Sequence, residues 1–210
     1  MDPVAIRSFN LQYIEQGGEW NIDTCLTDNK IETYSGPGSL LKNTENLIIE
    51  LNNFIKDKHI KSIIDVPCGD FNYMKHIDLN GINYKGFDVS INAVEMCKKY
   101  SKENISFNVL DATTEKLEYA DLIICKDLFI HLSFQDIHKI LANIKQTNCK
   151  YFGVSRYSNG LETNIDKETG LSGRAIEISK PPFNFDKEIV KQIKYTKNKS
   201  IQDEIVIYKM

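Results

Sequence analysis

Four carboxylates in this chain stand at or just after the ends of strand-like runs, and a fifth lies in the first turn between them. Asp65 sits in the apolar run Ser62-Ile-Ile-Asp-Val66, which stops at Pro67-Cys68-Gly69-Asp70. Asp88 closes Tyr84-Lys-Gly-Phe-Asp88, Asp111 follows residues 105–110, and Asp127 follows residues 120–125. In an open α/β sheet, ligands lie at the carboxyl ends of the strands. A glycine in the first turn lets backbone approach a ligand closely, and an acid at the tip of the second strand accepts hydrogen bonds from a ribose diol. Any one of these acids could equally cap a helix or turn. Four in register along one edge of a sheet predict a ligand site instead, and an adenosine-containing ligand fits it.

The turn chemistry narrows the ligand. There is no G-x-G-x-x-G, so pyrophosphate cradling is unsupported, and no G-x-x-x-x-G-K-[ST], so the chain lacks a nucleotide P-loop. An adenosine with an amino-acid end and no phosphates fits better: an ammonium near the first turn, a ribose on Asp88, an adenine amino group on Asp111. S-adenosylmethionine meets that description. Because a sulfonium carries its own leaving group, the protein must mainly place a nucleophile in line with the methyl. A hydroxyl nucleophile gains from a general base, and Asp127 and His131 are the candidates, four residues apart and on one face if that stretch is helical. Arg156 and Tyr157, after the fifth strand, are expected to touch the acceptor. So is the polar segment beyond them, with Asn159, Glu162, Thr163, Asn164 and Arg174. Glu32, Tyr34 and Trp20 precede a Gly36-Pro-Gly38 turn and are expected to cap the site. His59, His76 and His138 lack such a context and read as surface residues.

Alternating elements must position these groups. Residues 1–38 read as an N-terminal cap of one or two short helices. Leu40, Leu41, Leu47, Ile48, Leu51, Phe54 and Ile55 recur at helical spacing, predicting a helix over 40–57 with Ser39 as its N-cap. Strands follow at 62–66, 83–88, 105–110, 120–125 and 150–155. Helices are predicted near 71–78, over 91–102 behind Ser90, and over 134–146 behind Ser133. Such alternation means βαβ units and a parallel sheet. Residues 156–185, with Asn159-Gly160, Gly170, Gly173 and Pro181-Pro182, read as a loop or lid over the acceptor. Strands at about 189–196 and 203–209 form a terminal antiparallel hairpin.

These residues resemble the class I S-adenosylmethionine-dependent methyltransferases over roughly 36–155 and the terminal hairpin. More narrowly, Ser35–Ser39 (SGPGS), Asp65–Phe71 (DVPCGDF) and Pro181–Phe185 (PPFNF) are similar to segments of a small, mostly uncharacterised methyltransferase-like group. The resemblance implies an α/β, Rossmann-like, doubly wound sheet of seven strands in the order 3-2-1-4-5-7-6. It implies that Asp65, Cys68 and Gly69 line the methionine end, Asp88 binds the ribose, and Asp111 with Ala112 faces the adenine. Pro67, Asp70, Val89, Lys126 and Asp127 complete the expected cofactor set. Pro67 and Phe71 depart from the first and third glycines of the usual Gly-x-Gly-x-Gly turn.

Length and composition bound the rest. With 210 residues, 41% hydrophobic and 26% charged, the chain suits a single globular methyltransferase domain over 1–210. A net charge of −3 leaves no electrostatic footprint for nucleic acid. Five scattered cysteines with no Cys-x-x-Cys suit a reducing compartment and argue against zinc; no metal is expected. No run approaches the roughly 20 apolar residues of a membrane helix, so a cytoplasmic location is expected. The expected activity is transfer of a methyl group to a hydroxyl of a polar small molecule, sugar or glycan. The rival reading is a cofactor-binding, catalytically degenerate module that regulates a partner protein. A nicotinamide-dependent oxidoreductase is disfavoured by the glycine pattern.

Overall fold

The computed structural model describes residues 1–14, 25–28, 30–157, 163–195 and 203–210; Trp20, Asn159 and Glu162 lie outside them. Seven strands form one sheet: β3 (Ser62–Asp65), β4 (Asn83–Asp88), β5 (Ile105–Val109), β6 (Leu122–Cys125), β7 (Tyr151–Tyr157), β8 (Ile189–Lys194) and β9 (Asp203–Lys209). They follow a small hairpin, β1 (Leu26–Thr27) with β2 (Lys30–Ile31). The order is β5-β4-β3-β6-β7-β9-β8, with β9 antiparallel to both of its neighbours. This is the order 3-2-1-4-5-7-6, and the class I methyltransferase architecture expected from the sequence.

Successive residues of a central strand enter opposite faces, and both faces are covered. Ile63 of β3 packs with Leu47, Leu51 and Phe54 of α2 (Leu41–Asp57), while its neighbour Ile64 packs with Ile137, Ile140 and Ile144 of α4 (Phe134–Gln146). All four residues of β6 are therefore buried. Because β3 pairs with β4 on one side and β6 on the other, the chain departs in opposite directions from the middle of the sheet. That leaves a crevice beyond the carboxyl ends of the central strands.

Several local expectations are corrected. Ser39 does not cap α2. Gly36 and Pro37 open a 3-10 turn that takes in Ser39, and Leu40 stands at the N-cap with no side-chain bond. The Glu32 carboxylate reaches across instead and accepts from Leu41 N at 2.6 Å, satisfying an N–H that the helix leaves open. The helix near 71–78 reduces to a 3-10 turn at Met74–His76. Phe71 sits at φ 64°, outside the helical region, and only short-range bonds such as Lys75 N to Phe71 O at 3.1 Å follow it. Ser90 and Ser133 do cap their helices, accepting from Ala93 N and Asp136 N at 3.2 Å each, and α3 runs Ile91–Cys97. Within the expected lid, Ile176, Ile178 and Phe185 are buried against Phe152 and Tyr208. That part of the segment is core. No helix among the described residues is long and apolar enough to cross a membrane.

Gly86 in β4 keeps the first turn close to the sheet. A Cβ there would lie 2.6 Å from Phe107 Cδ1 and 3.0 Å from Cys68 Cβ. Gly86→Ala is expected to cost about 1–3 kcal/mol by overpacking, read as a lower denaturant midpoint with an unchanged m-value.

Candidate functional site

The first turn is tied to the second strand by two bonds. Cys68 N donates to Phe87 O at 2.8 Å, and Gly69 N donates to Asp88 Oδ2 at 3.0 Å. The other Asp88 oxygen accepts from Ser90 N at 2.8 Å. Gly69 sits at φ +54°, and a Cβ on it would come within 2.3 Å of Ser35 Oγ. Turn and overlying segment therefore approach as only glycine permits.

Asp70 fastens that overlying segment. Its carboxylate accepts from Thr33 Oγ1 at 2.9 Å, Tyr34 N at 2.6 Å and Ser35 Oγ at 2.9 Å. Asp70 N in turn donates to Ser35 Oγ at 2.9 Å. Helix α1 (Pro3–Gln12) then lies across the crevice. Asn10 Oδ1 accepts from Ser90 Oγ and Ile91 N, Gln12 Nε2 donates to Tyr34 O, and Tyr13 Oη meets Ser35 Oγ at 3.2 Å.

Between these parts lies a cavity of about 220 Å³. Its walls bring together Pro67, Cys68, Gly69 and Asp70 of the first turn, Asp88 and Val89 at the tip of β4, and Lys126 and Asp127 after β6. His131 and Tyr157 share the same cavity. Sequence reasoning missed Phe9 and Gln12 on α1, Tyr13 at its C-cap, and Tyr73, Ile130 and Leu171. Only the SGPGS segment hinted at its N-terminal wall, which Ser35, Gly38 and Ser39 help to form.

Other expected residues have different surroundings and lie off this cavity. Asp65 is buried behind the turn, accepting from Tyr84 Oη at 2.8 Å. Asp111 is held by the Met1 ammonium and by Thr113, and Ala112 packs into the core beside β6. Arg156 is bound to Glu204 at 2.7 Å and Glu177 at 3.4 Å. The Arg174 guanidinium donates to main-chain carbonyls, and Glu32 and Tyr34 serve the α2 cap and the Asp70 cluster. His59, His76 and His138 are exposed, as expected.

Asp127 and His131 do share the cavity, but not through a helix. Asp127 sits at φ 56°, reversing the chain ahead of a 3-10 turn at Phe129–His131. Burial pushes the Asp127 carboxyl up. The ion pair with Lys126 and hydrogen bonds from Tyr157 (2.6 Å) and Ser155 (2.8 Å) outweigh it and bring the value down to about 2. Lys126 also donates to Gly38 O at 3.1 Å, between the rings of Tyr73 and Tyr195. Asp127 is thus a fixed negative charge and a poor proton acceptor. Burial pulls the His131 imidazole below its ordinary value despite the nearby Asp127 charge, so it is neutral at pH 7 and able to take a proton.

Two buried acids, Asp88 on the cavity wall and Asp65 behind the turn, move the other way. Burial raises Asp88 to about 6 and Asp65 to about 7. Asp65 Oδ1 has no hydrogen-bond partner among the described residues. A carboxyl whose folded pKa is raised favours folding at low pH and loses that contribution as pH rises from its unfolded value toward the folded one. Between about pH 4 and 7 the protein should therefore lose stability through Asp65. Asp65→Asn is expected to flatten this decline in thermal midpoints measured from pH 5 to 8, leaving the smaller slope due to Asp88. An equally steep decline in the variant would remove Asp65 from the account.

Comparison with known proteins agrees with the fold. Residues 64–148 match the family described as a methyltransferase domain. No curated protein matches the chain. Among solved structures, the chain is similar to TehB from Haemophilus influenzae, at 14% identity and a TM-score of 0.57, over 76% of this chain and 61% of that one. It thus spans less than two thirds of the TehB chain. It is similar to magnesium protoporphyrin IX methyltransferase from Synechocystis PCC 6803 with bound SAH, at 10% identity and a TM-score of 0.59, over 81% and 85% of the two chains. A third is the N-terminal domain of EvdMO1 in the presence of SAH and D-fucose, at 13% identity and a TM-score of 0.54, over 79% and 83%.

Proposed function

Starting from a methyltransferase-domain match over residues 64–148 and a sheet in the order β5-β4-β3-β6-β7-β9-β8, we propose that the chain is a class I S-adenosylmethionine-dependent methyltransferase acting on a hydroxyl of a polar small molecule or sugar. The observation that carries this reading is the meeting of the glycine turn, Asp88, Asp127 and His131 on one cavity at the carboxyl edge of the sheet. The residues suit the cofactor. Asp88 is a carboxylate on the cavity wall whose burial raises its pKa to about 6 despite its main-chain donors, and a ribose diol supplies two further donors. At Gly38, which also lines the cavity, a Cβ would fill space 2.9 Å from Asp127 Oδ2.

S-adenosylmethionine supplies an electrophilic methyl on a sulfonium with a built-in leaving group. The chain's own residues do the rest. Gly69 and Asp88 set the depth of the cofactor's seat. Asp127, held by Ser155, Tyr157, Tyr195 and Lys126, keeps a negative charge at the far end of the cavity. His131 takes the proton that an attacking hydroxyl must lose. Phe9, Ile130 and Leu171 add apolar surface to the same wall, which disfavours water as a competing acceptor. The sugar class draws support from the structural neighbour solved with SAH and D-fucose.

Calorimetric titration with S-adenosylmethionine, S-adenosylhomocysteine and NAD tests the first half of the proposal. Micromolar Kd values for the first two, and none for NAD, are expected. Asp88→Ala should weaken both by about tenfold to a hundredfold, the loss of hydrogen bonds to a charged group, with circular dichroism unchanged. Undiminished binding by that variant would overturn the seat. The second half predicts that methyl transfer to a sugar hydroxyl falls on the acid side with an apparent pKa below the ordinary histidine value of about 6.5. His131→Gln should lose at least roughly a hundredfold in kcat at pH 7.

A further inference from the structure

We propose that Arg174 is a positioning residue for His131, holding the turn that carries the imidazole against the cavity. The proposal rests on the reading of His131 as proton acceptor, but its physical content is separate from that role.

The turn needs outside support. After Asp127 reverses the chain, Phe129–His131 forms a 3-10 turn too short to satisfy its own carbonyls. Within it, His131 N donates to Leu128 O at 3.1 Å and Leu132 N to Phe129 O at 3.3 Å. The next helix starts only at Phe134. The guanidinium of Arg174 supplies donors from outside. Nη1 reaches Ile130 O at 3.2 Å and Phe129 O at 3.4 Å, and Nη2 reaches Leu132 O at 2.6 Å. Nε is anchored to Ile165 O at 2.6 Å, and the guanidinium lies 5.5 Å from the Phe134 ring centroid.

The main chain reinforces the clasp. Arg174 N donates to Ile130 O at 3.1 Å, and the His131 carbonyl accepts from Gly170 N at 2.9 Å and Lys167 Nζ at 3.2 Å. The same segment passes over the ring itself. A Cβ built on Gly173 would lie 3.9 Å from His131 Cε1. The main chain at Leu171 and Ser172 hydrogen-bonds the imidazole. One side chain therefore holds two carbonyls of the turn, that of Leu132 just after it, and one of the segment opposite. A planar fork of five donors can do this, and a lysine ammonium cannot span the same set. Arg174 itself lies off the cavity wall, so it acts on the reaction through His131.

The groups facing the imidazole are the Asp127 carboxylate, the Lys167 ammonium, the Leu171 and Ser172 main chain, and the Phe9 ring of α1 at 6.2 Å between centroids. Burial dominates their sum and lowers the histidine. Loosening the clasp admits water, and the titration midpoint should then rise.

The test is NMR titration of the His131 imidazole in the wild-type protein, R174Q and R174K, each saturated with S-adenosylhomocysteine. The midpoint is expected to rise by roughly half a unit or more in R174Q and by less in R174K. The Kd for S-adenosylhomocysteine should stay within about twofold, since neither change touches the cofactor seat. An unmoved midpoint in folded R174Q overturns the proposal. Failure of both variants to fold overturns it too, because the arginine would then serve the fold as a whole. The two readings fail separately. If His131→Gln keeps full methyl transfer while R174Q shifts the His131 midpoint, the clasp stands and the proton-acceptor role falls.

Discussion

The bond from Gly69 N to the Asp88 carboxylate is the contact on which the rest of this site depends. It joins the turn after β3 to the tip of β4, and so sets the width of the crevice where the sheet's connections diverge. Two sequence features make it possible. Gly69 adopts a left-handed conformation, and Gly86 leaves room for Cys68 against the strand. Asp88 contributes because it is buried, bonded to two main-chain N–H groups and still on the cavity wall. A charged group in that setting is held rigidly and interacts strongly with whatever polar ligand reaches it.

The N-terminal third of the site is attached by polar contacts more than by apolar burial. Asp70 collects donors from Thr33, Tyr34 and Ser35, while Asn10 joins α1 to the start of α3. Val4 and Leu11 of α1 remain exposed. A segment held this way opens at a lower cost than the strands beneath it.

The far end of the cavity separates two electrostatic roles by environment. Asp127 lies among Lys126 and three hydroxyls and keeps its charge. His131, buried among Phe9, Leu171 and Ser172, keeps its lone pair. The pair thus places a permanent anion beside a neutral imidazole, and burial with hydrogen bonding, not residue type, sets the two charge states.

Much of this was legible before any tertiary structure. Alternating apolar runs, turn residues and caps at Ser90 and Ser133 dictate a parallel doubly wound sheet, because a strand buried on both faces needs consecutive apolar residues such as Leu122–Cys125. The acids at the strand tips follow from the same pattern, since topology alone puts those tips at one edge. What only the folded chain decided is which acids face the ligand. Asp88 and Asp127 open onto the cavity, while Asp65 is buried behind the first turn against Tyr84 and Asp111 meets the Met1 ammonium. Arg156 and Arg174 look in sequence like hands for a polar acceptor, yet their guanidiniums are consumed by Glu204 and by the carbonyls of the His131 turn. Local sequence determines where a side chain starts. Its direction, partners and ionisation depend on distant segments, 110 residues away for Asp111 and the Met1 ammonium, and those come together only when the sheet closes its core.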